Sequence, residues 1–375
     1  MLNTLCKTGA AGSLLLASLL PASTLAGGDS IGAVYTMSND ASGNSVLVFN
    51  RNQIGRLAPR GEFDTGGLGT STGLGNQGAV ILDPSNRWLF VVNAGSNEVS
   101  VFAVTEDELS LVDVEDSGGV LPISLTYSHN LLYVLNAGGT LENPDSITGF
   151  RVADDGMLTP IPNSTQILSA VNTAPAQISF NSDGDVLVVT EKATNLIDTF
   201  SVDENGVAGP VISYASEGET PFGFAIGKRD QLFVSEAAGG TPDRGSVSSY
   251  QLDEDGNLSV ISSIVPTTET AACWVVVSND GRFAYTTNAG SDSISNYHIE
   301  FDGSISLLDE NGRTARTGRD SVPLDMGISN DGRNLYTLNG GNDTIGVFAI
   351  RKKGGLSSLH SHIDVPVSAN GLAVR

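Results

Sequence analysis

The sequence predicts an all-β fold: a seven-bladed β-propeller of four-stranded blades, with the C-terminal strand pairing into the first N-terminal blade to close the ring. Three observations predict it. First, one hairpin is written twice. LFVVNAGSNEVSVF (residues 89–102) and FAYTTNAGSDSISNY (residues 283–297) each run from an apolar strand through Asn-Ala-Gly-Ser into an alternating strand. Second, the strand before that turn recurs along the chain, ending at Ser38, Asn93, Asn136, Glu191, Glu236, Asn288 and Asn339. The spacing is about 43–55 residues, a period that all-strand units show in propellers. Third, the composition is that of strands and tight turns, with 44 Gly, 40% hydrophobic and 16% charged residues. The Ala/Leu/Glu/Lys runs of surface helices are missing after residue 26.

The elements follow in order. Residues 1–26 read as a secretory leader: Lys7 supplies the positive flank, AAGSLLLASLLPAS is apolar but short for a span, and TLA ends in a small-residue cleavage site at Ala26. The protein is therefore expected to be secreted, extracellular or periplasmic. Cys6 would leave with the leader, and Cys273 would be the one remaining thiol. Residues 27–375 read as one propeller domain. The first unit, from Ala33, lacks an inner strand, and the C-terminal SANGLAVR (residues 368–375) is an inner strand without a unit, so pairing the two closes the ring. The unit around Asn288 displays all four strands: CWVVVS, RFAYTTN, SISNYHIEF and ISLLDEN, separated by NDG, AGS and DGS turns. The stretch TGGLGTSTGLGNQG (residues 65–78) falls where one unit crosses to the next, as a flexible crossover.

The formal net charge is −23. Such a surface repels phosphate backbones and anionic lipid, so neither nucleic acid nor membrane insertion is expected, and the chain is read as a soluble monomer. Several motifs match in letters only. GLGNQG (residues 73–78) is followed by a strand and not a helix, and GDSIG (residues 28–32) lacks the strand–helix setting of a nucleophile elbow. DEDGN (residues 253–257) lacks the closing Glu of a calcium loop. His360 and His362 share one face of an outer strand without a third ligand. No metal or cofactor is expected. Sequons stand at Asn163, Asn257 and Asn342.

A site is expected at the mouth of the central channel, where second strands end beside the starts of inner strands, and a small molecule is its expected partner. Most second-strand ends, Asn136 and Asn288 among them, carry the turn chemistry of Asn followed by Gly or Ala-Gly. Glu191 and Glu236 break that pattern in consecutive units, with Lys192 after the first. Carboxylates at a crowded mouth can act as acid or base or share a cation. Gln77, Gln177, Asp325 and Asn370 are expected to aim at the mouth, Phe222 and Trp274 to line it, and Arg244 and Arg319 to be its nearest cations.

From Ala33 to Arg375 these repeats, clearest in ISNDGRNLYTLNGGNDTIGVFAI (residues 328–350) and VSNDGRFAYTTNAGSDSISNY (residues 277–297), resemble the lactonase family of seven-bladed propellers. That family includes the bacterial 6-phosphogluconolactonase and the carboxymuconate-lactonising enzymes. YVTN-type surface propeller repeats look similar over the same hairpins. The resemblance implies a Glu, a His and several Arg at the mouth, and Glu236 falls where the Glu would sit. The His position falls near Ala176, and the Arg positions near Phe222, Trp274 and Leu324. No inner-strand start carries His, Arg or Lys. Losing one donor to an oxyanion costs about 10²–10³ in rate, so 6-phosphogluconolactone is not the expected substrate. The resemblance implies instead an unphosphorylated lactone or related ester, opened by water with Glu236 or Glu191 as general base. The alternative is a non-catalytic extracellular binding or surface-interaction propeller.

Overall fold

The computed structural model describes residues 30–106 and 108–375. The leader expected over residues 1–26, with Cys6, lies outside the described residues. Seven antiparallel sheets stand in a ring, and six of them wind outward in chain order, the first taking its innermost strand from the C-terminus. Blade 4 is typical: Pro175–Phe180 is innermost, then Val186–Glu191, Leu196–Ser201 and Ile212–Ala215. The second strands are the most enclosed. Every residue of Trp88–Asn93, Leu131–Asn136, Val186–Glu191 and Phe283–Asn288 is buried, because these strands are covered by a neighbouring blade on both faces. Their sequences are accordingly continuous apolar runs rather than alternating ones. Blades 3 and 6 split their outer strand into two short pieces, Leu158–Pro160 with Gln166–Ile167 and Ile305–Leu307 with Ala315–Arg316. The only helical element among the described residues is the turn Ala238–Gly240.

Turn chemistry sets the hairpins. The glycines of the repeated Asn/Ser-Asp-Gly turns, Gly184, Gly281 and Gly332, have φ of 77°, 75° and 67°, a left-handed geometry that glycine adopts without strain. A tyrosine on the second strand then ties each of three blades to the outer hairpin turn of the next. Tyr133, Tyr285 and Tyr336 donate their buried hydroxyls to the carbonyls of Gly206, Gly354 and Gly55, at 2.7, 2.9 and 2.9 Å. The third of these ties crosses the closure from blade 7 to blade 1.

That closure is as the sequence implies. Asn370–Val374 pairs antiparallel with Ser30–Met37 as the innermost strand of blade 1, with Val34 opposite Val374 and Tyr35 opposite Ala373. No edge strand is left inside the ring. Arg51 fastens the seam. Its guanidinium is 3% exposed, pairs with Asp331 of blade 7 at 3.2 Å and donates from Nε to the Arg375 carbonyl at 3.2 Å. One side chain thus holds blade 7, blade 1 and the C-terminal strand. His360 departs from its expected place on a regular strand: it has φ of 47° where the register between the two outer strands of blade 7 shifts. Both His360 and His362 are exposed.

Arg51→Ala should therefore destabilise the protein by about 2–3 kcal/mol, the scale for stripping a buried charge from its partners. Urea unfolding should show a lower midpoint. A midpoint within error of the parent would mean that strand pairing alone holds the seam.

Candidate functional site

The mouth is built by one hydrogen bond repeated around the ring. In five blades the residue after the second strand donates its N–H to the carbonyl of the residue just before the inner strand of the same blade: Ala137 to Leu121, Lys192 to Ala174, Ala237 to Thr220, Ala289 to Ala271 and Gly340 to Val322. The last residue of the second strand lies opposite the first of the inner strand, as Glu191 does with Pro175 and Glu236 with Pro221. Side chains alternate along a strand. The last strand residue is buried in the blade, and the residue after it is part-exposed in four of these five blades, Ala237 being the buried exception.

This alternation corrects the expected site by one position. Glu191 and Glu236 are fully buried in the blade wall. Glu191 accepts hydrogen bonds from the Ser169 N–H at 3.1 Å, the Ser169 hydroxyl at 2.5 Å and the Thr194 hydroxyl at 2.5 Å. It packs against Asp198, whose carboxyl is raised by burial and by Glu191 itself and so keeps its proton. Glu236 accepts from the Ser246 hydroxyl at 2.5 Å, and burial pushes its pKa up to about 7 against the pull of the Ser246 and Ser248 hydroxyls. Asn136 and Asn288 are equally buried. Asn136 donates to the Ser117 carbonyl, and Asn288 to the hydroxyls of Ser293 and Ser295. In all four blades the side chain pins the crossover from the previous blade or the third strand of its own. The repeated Asn of the opening hairpins is thus a structural pin.

Lys192, Phe222 and Trp274 do come together. The Lys192 ammonium sits 4.7 Å above the Phe222 ring centroid, and Phe222 packs on Trp274 at 4.9 Å. Nζ donates to the carbonyls of Gly75 at 2.6 Å and Pro175 at 2.7 Å. Desolvation lowers its pKa to about 8, against the opposing influence of Cys273 and Asp145. Two of its three N–H groups are used, and one is left for a ligand.

Gly75 belongs to the Gly-rich crossover, which is a plug and not a loose loop. The Trp274 indole donates to the Asn76 carbonyl at 2.6 Å, and the Asn76 amide donates to the Ile123 carbonyl. Gln77 reaches across the channel. Its N–H donates to Ala176 of blade 4 at 3.0 Å, and its side-chain amide exchanges hydrogen bonds with both backbone groups of Val275 in blade 6. Gln177 makes the same double bond with Phe224. Asp325 accepts from the N–H groups of Met326 at 2.7 Å and Leu372 at 3.1 Å, and burial pushes its pKa up to about 7. Gln77, Gln177 and Asp325 therefore do not aim at the mouth. They line a polar chamber of about 310 Å³ inside the channel. Asn370 is buried in the closing strand.

Arg244 is exposed and makes no side-chain hydrogen bond or ion pair among the described residues. Arg319 is 94% exposed and lies 3.9 Å from Asp320. Neither contacts Lys192, Phe222 or Trp274 among those residues. One residue past the strand ends, Ala137, Lys192, Ala289 and Gly340 are part-exposed, whereas Ala237 is buried; of these only Lys192 was singled out from the sequence, and the others stand one letter beyond the Asn residues that were read.

Comparison with known proteins places this arrangement. The family model described as "Lactonase, 7-bladed beta-propeller" matches residues 41–172 and 212–323. A 6-phosphogluconolactonase from Yersinia enterocolitica is 23% identical over 300 residues, spanning 76% of this chain and 84% of that protein. Among solved structures, a putative 6-phosphogluconolactonase from Bacteroides fragilis superposes with a TM-score of 0.71 at 19% identity, covering 92% of this chain and 98% of that one. The periplasmic gluconolactonase of Pseudomonas aeruginosa gives 0.70 at 17% identity, with the same coverage. At these identities the structural likeness establishes the fold.

The buried carboxyls make stability depend on pH in an unusual sense. Glu236 and Asp325 are raised from 4.5 and 3.8 to about 7, so between about pH 4 and 7 the folded chain binds more protons than the unfolded one. Stability from these groups is full below the unfolded values and is lost as pH rises through about 7. The melting temperature should climb from pH 8 to pH 5, and Asp325→Asn should flatten that climb. A parent protein whose melting temperature falls over the same interval would contradict the burial of these carboxyls.

Proposed function

The chain belongs to the seven-bladed lactonase propeller family, and from that premise we propose that it opens an unphosphorylated lactone or related ester at the Lys192 mouth. The observation that carries this reading is the Lys192 ammonium, fixed on two carbonyls above Phe222 with one N–H free. A lactone carbonyl oxygen placed on that N–H becomes more electrophilic. Water adds to the carbonyl carbon, the negative charge gathers on the oxygen beside the ammonium, and the ring C–O bond breaks to leave a hydroxy acid. A single ammonium is a poor match for a phosphate group and its lactone together, so 6-phosphogluconolactone remains outside the reading. Residues 1–26 act as a secretory leader in this proposal. No helix among the described residues is long and apolar enough to cross a membrane.

Glu191 and Glu236 have no part in it, since neither carboxylate opens to the mouth. That same fact favours a second reading, a lactonase-fold protein that binds its ligand at Lys192 without turning it over, because no general base stands beside the ammonium. Turnover separates the two readings. On purified protein lacking residues 1–26, a pH-stat assay over a panel of unphosphorylated lactones should detect ring opening. Lys192→Ala should lower kcat/KM by about 10²-fold with the melting temperature retained, and Glu236→Gln should leave turnover intact. Because the ammonium must stay protonated, the Lys192-dependent rate should be present below about pH 8 and decline above it. Ligand binding with no hydrolysis in the panel would establish the second reading. Loss of turnover in a folded Glu236→Gln variant would return the chemistry to that carboxylate.

A further inference from the structure

We infer that the ligand of this mouth is a lactone with an apolar body, alkyl or aryl, and not a polyhydroxylated sugar lactone; this rests on the lactone-opening reading above. The inference comes from the repeat itself. The position after the second strand, in the blades where the repeated hydrogen bond forms, is Ala137, Lys192, Ala237, Ala289 and Gly340, part-exposed at all but the buried Ala237. Only one member is polar. Around it, Leu121, Phe222, Ala289 and Leu324 are partly exposed and pack onto the apolar clusters of blades 3 and 4 and of blades 5 to 7. Leu324 lies over Gly340, where a Cβ would come within 2.3 Å of its Cδ1. Leu74, on the plug, continues the apolar surface. The result is an apolar rim interrupted by one ammonium.

The polar groups nearby are already engaged within the protein. The Trp274 N–H serves the Asn76 carbonyl. The Ser235 hydroxyl lies against the carbonyls of Gly223 and Cys273, and the Thr190 hydroxyl against that of Phe222. Lys192 is then the donor the rim offers, with one N–H beyond the two held by the Gly75 and Pro175 carbonyls, which suits a single lactone carbonyl. A sugar lactone brings several hydroxyls. Each one stripped of water and left unpaired lowers affinity by roughly tenfold, whereas each methylene laid on the rim raises it by a factor of about 4. The two effects point the same way.

The test uses protein lacking residues 1–26 with two probes, δ-decalactone and glucono-δ-lactone, measured by pH-stat for kcat/KM and by calorimetry for binding. The expected result is at least a tenfold preference for δ-decalactone in kcat/KM. Leu324→Gln should erase most of that preference, chiefly by lowering kcat/KM for δ-decalactone, and Leu74→Ser, on a different element, should do the same and guards against a variant that fails to fold. Equal rates, or a preference for glucono-δ-lactone, would overturn the inference and leave the lactonase reading standing. If neither lactone is bound or opened, the lactonase reading itself fails.

Discussion

The mouth depends on a backbone conformation that the side chains there do not favour. Leu121, Ala174, Thr220, Ala271 and Val322, the residues that accept the repeated N–H, have φ of 59°, 48°, 58°, 57° and 42°. None is glycine, and two are β-branched, the residue class for which a left-handed conformation is costliest. What holds them is over-determination. Each carbonyl takes the N–H of the neighbouring second-strand end. Three of the N–H groups are also caught by a side chain from the preceding blade: Leu121 by Asn97, Thr220 by Asn195 and Val322 by Asp292. The inner strand can then begin at once, with proline in four of these five blades replacing the donor that has no partner there. Five repeats of one strained joint fix the height and facing of everything around the channel.

That joint explains why the fold was legible in the sequence and the site only partly so. Period, turn glycines and apolar second strands are local signals, each with its own mechanism, and they agree with one another. The orphan strand at residues 368–375 had a single unpaired partner, so closure could be read as well. The site turned on a one-residue question, namely which of Glu191 and Lys192 faces the channel. A register difference of one exchanges wall for mouth. No propensity marks Leu121 or Val322 as left-handed, so the joint that settles the register left no trace in composition. Phe222 and Trp274 were readable because an apolar residue at an inner-strand start has few places to point.

The plug shows the same limit from the other side. A run of glycines reads as slack, and Gly75 and Gly78 do have φ of 61° and 82°. Yet Asn76 and Gln77, the two residues between them, carry enough donors and acceptors to join blades 3, 4 and 6 across the axis. The glycines supply a close approach and the amides supply the attachment. The same crossover carries the Gly75 carbonyl that holds Lys192 and the Gln77 side chain that lines the pocket around Asp325.

In this strongly acidic chain, the carboxyls nearest the channel are withdrawn: Glu191, Glu236 and Asp325 are all buried and hydrogen-bonded. The Lys192 ammonium, by contrast, is held on two carbonyls over Phe222, and its desolvation there lowers its basicity. Where blades 2 and 6 pair the strand-end amide with a serine, Asn93 with Ser100 and Asn288 with Ser295, blade 4 pairs Glu191 with Asp198. Two acids in one buried site persist by retaining a proton, so that the pair carries one negative charge instead of two, held by the Ser169 and Thr194 donors within the wall. Glu191 and Lys192 are adjacent in sequence, yet the first lies fully buried in the wall and the second part-exposed on the carbonyls of Gly75 and Pro175, so one step along the chain separates an acid pair from a cation.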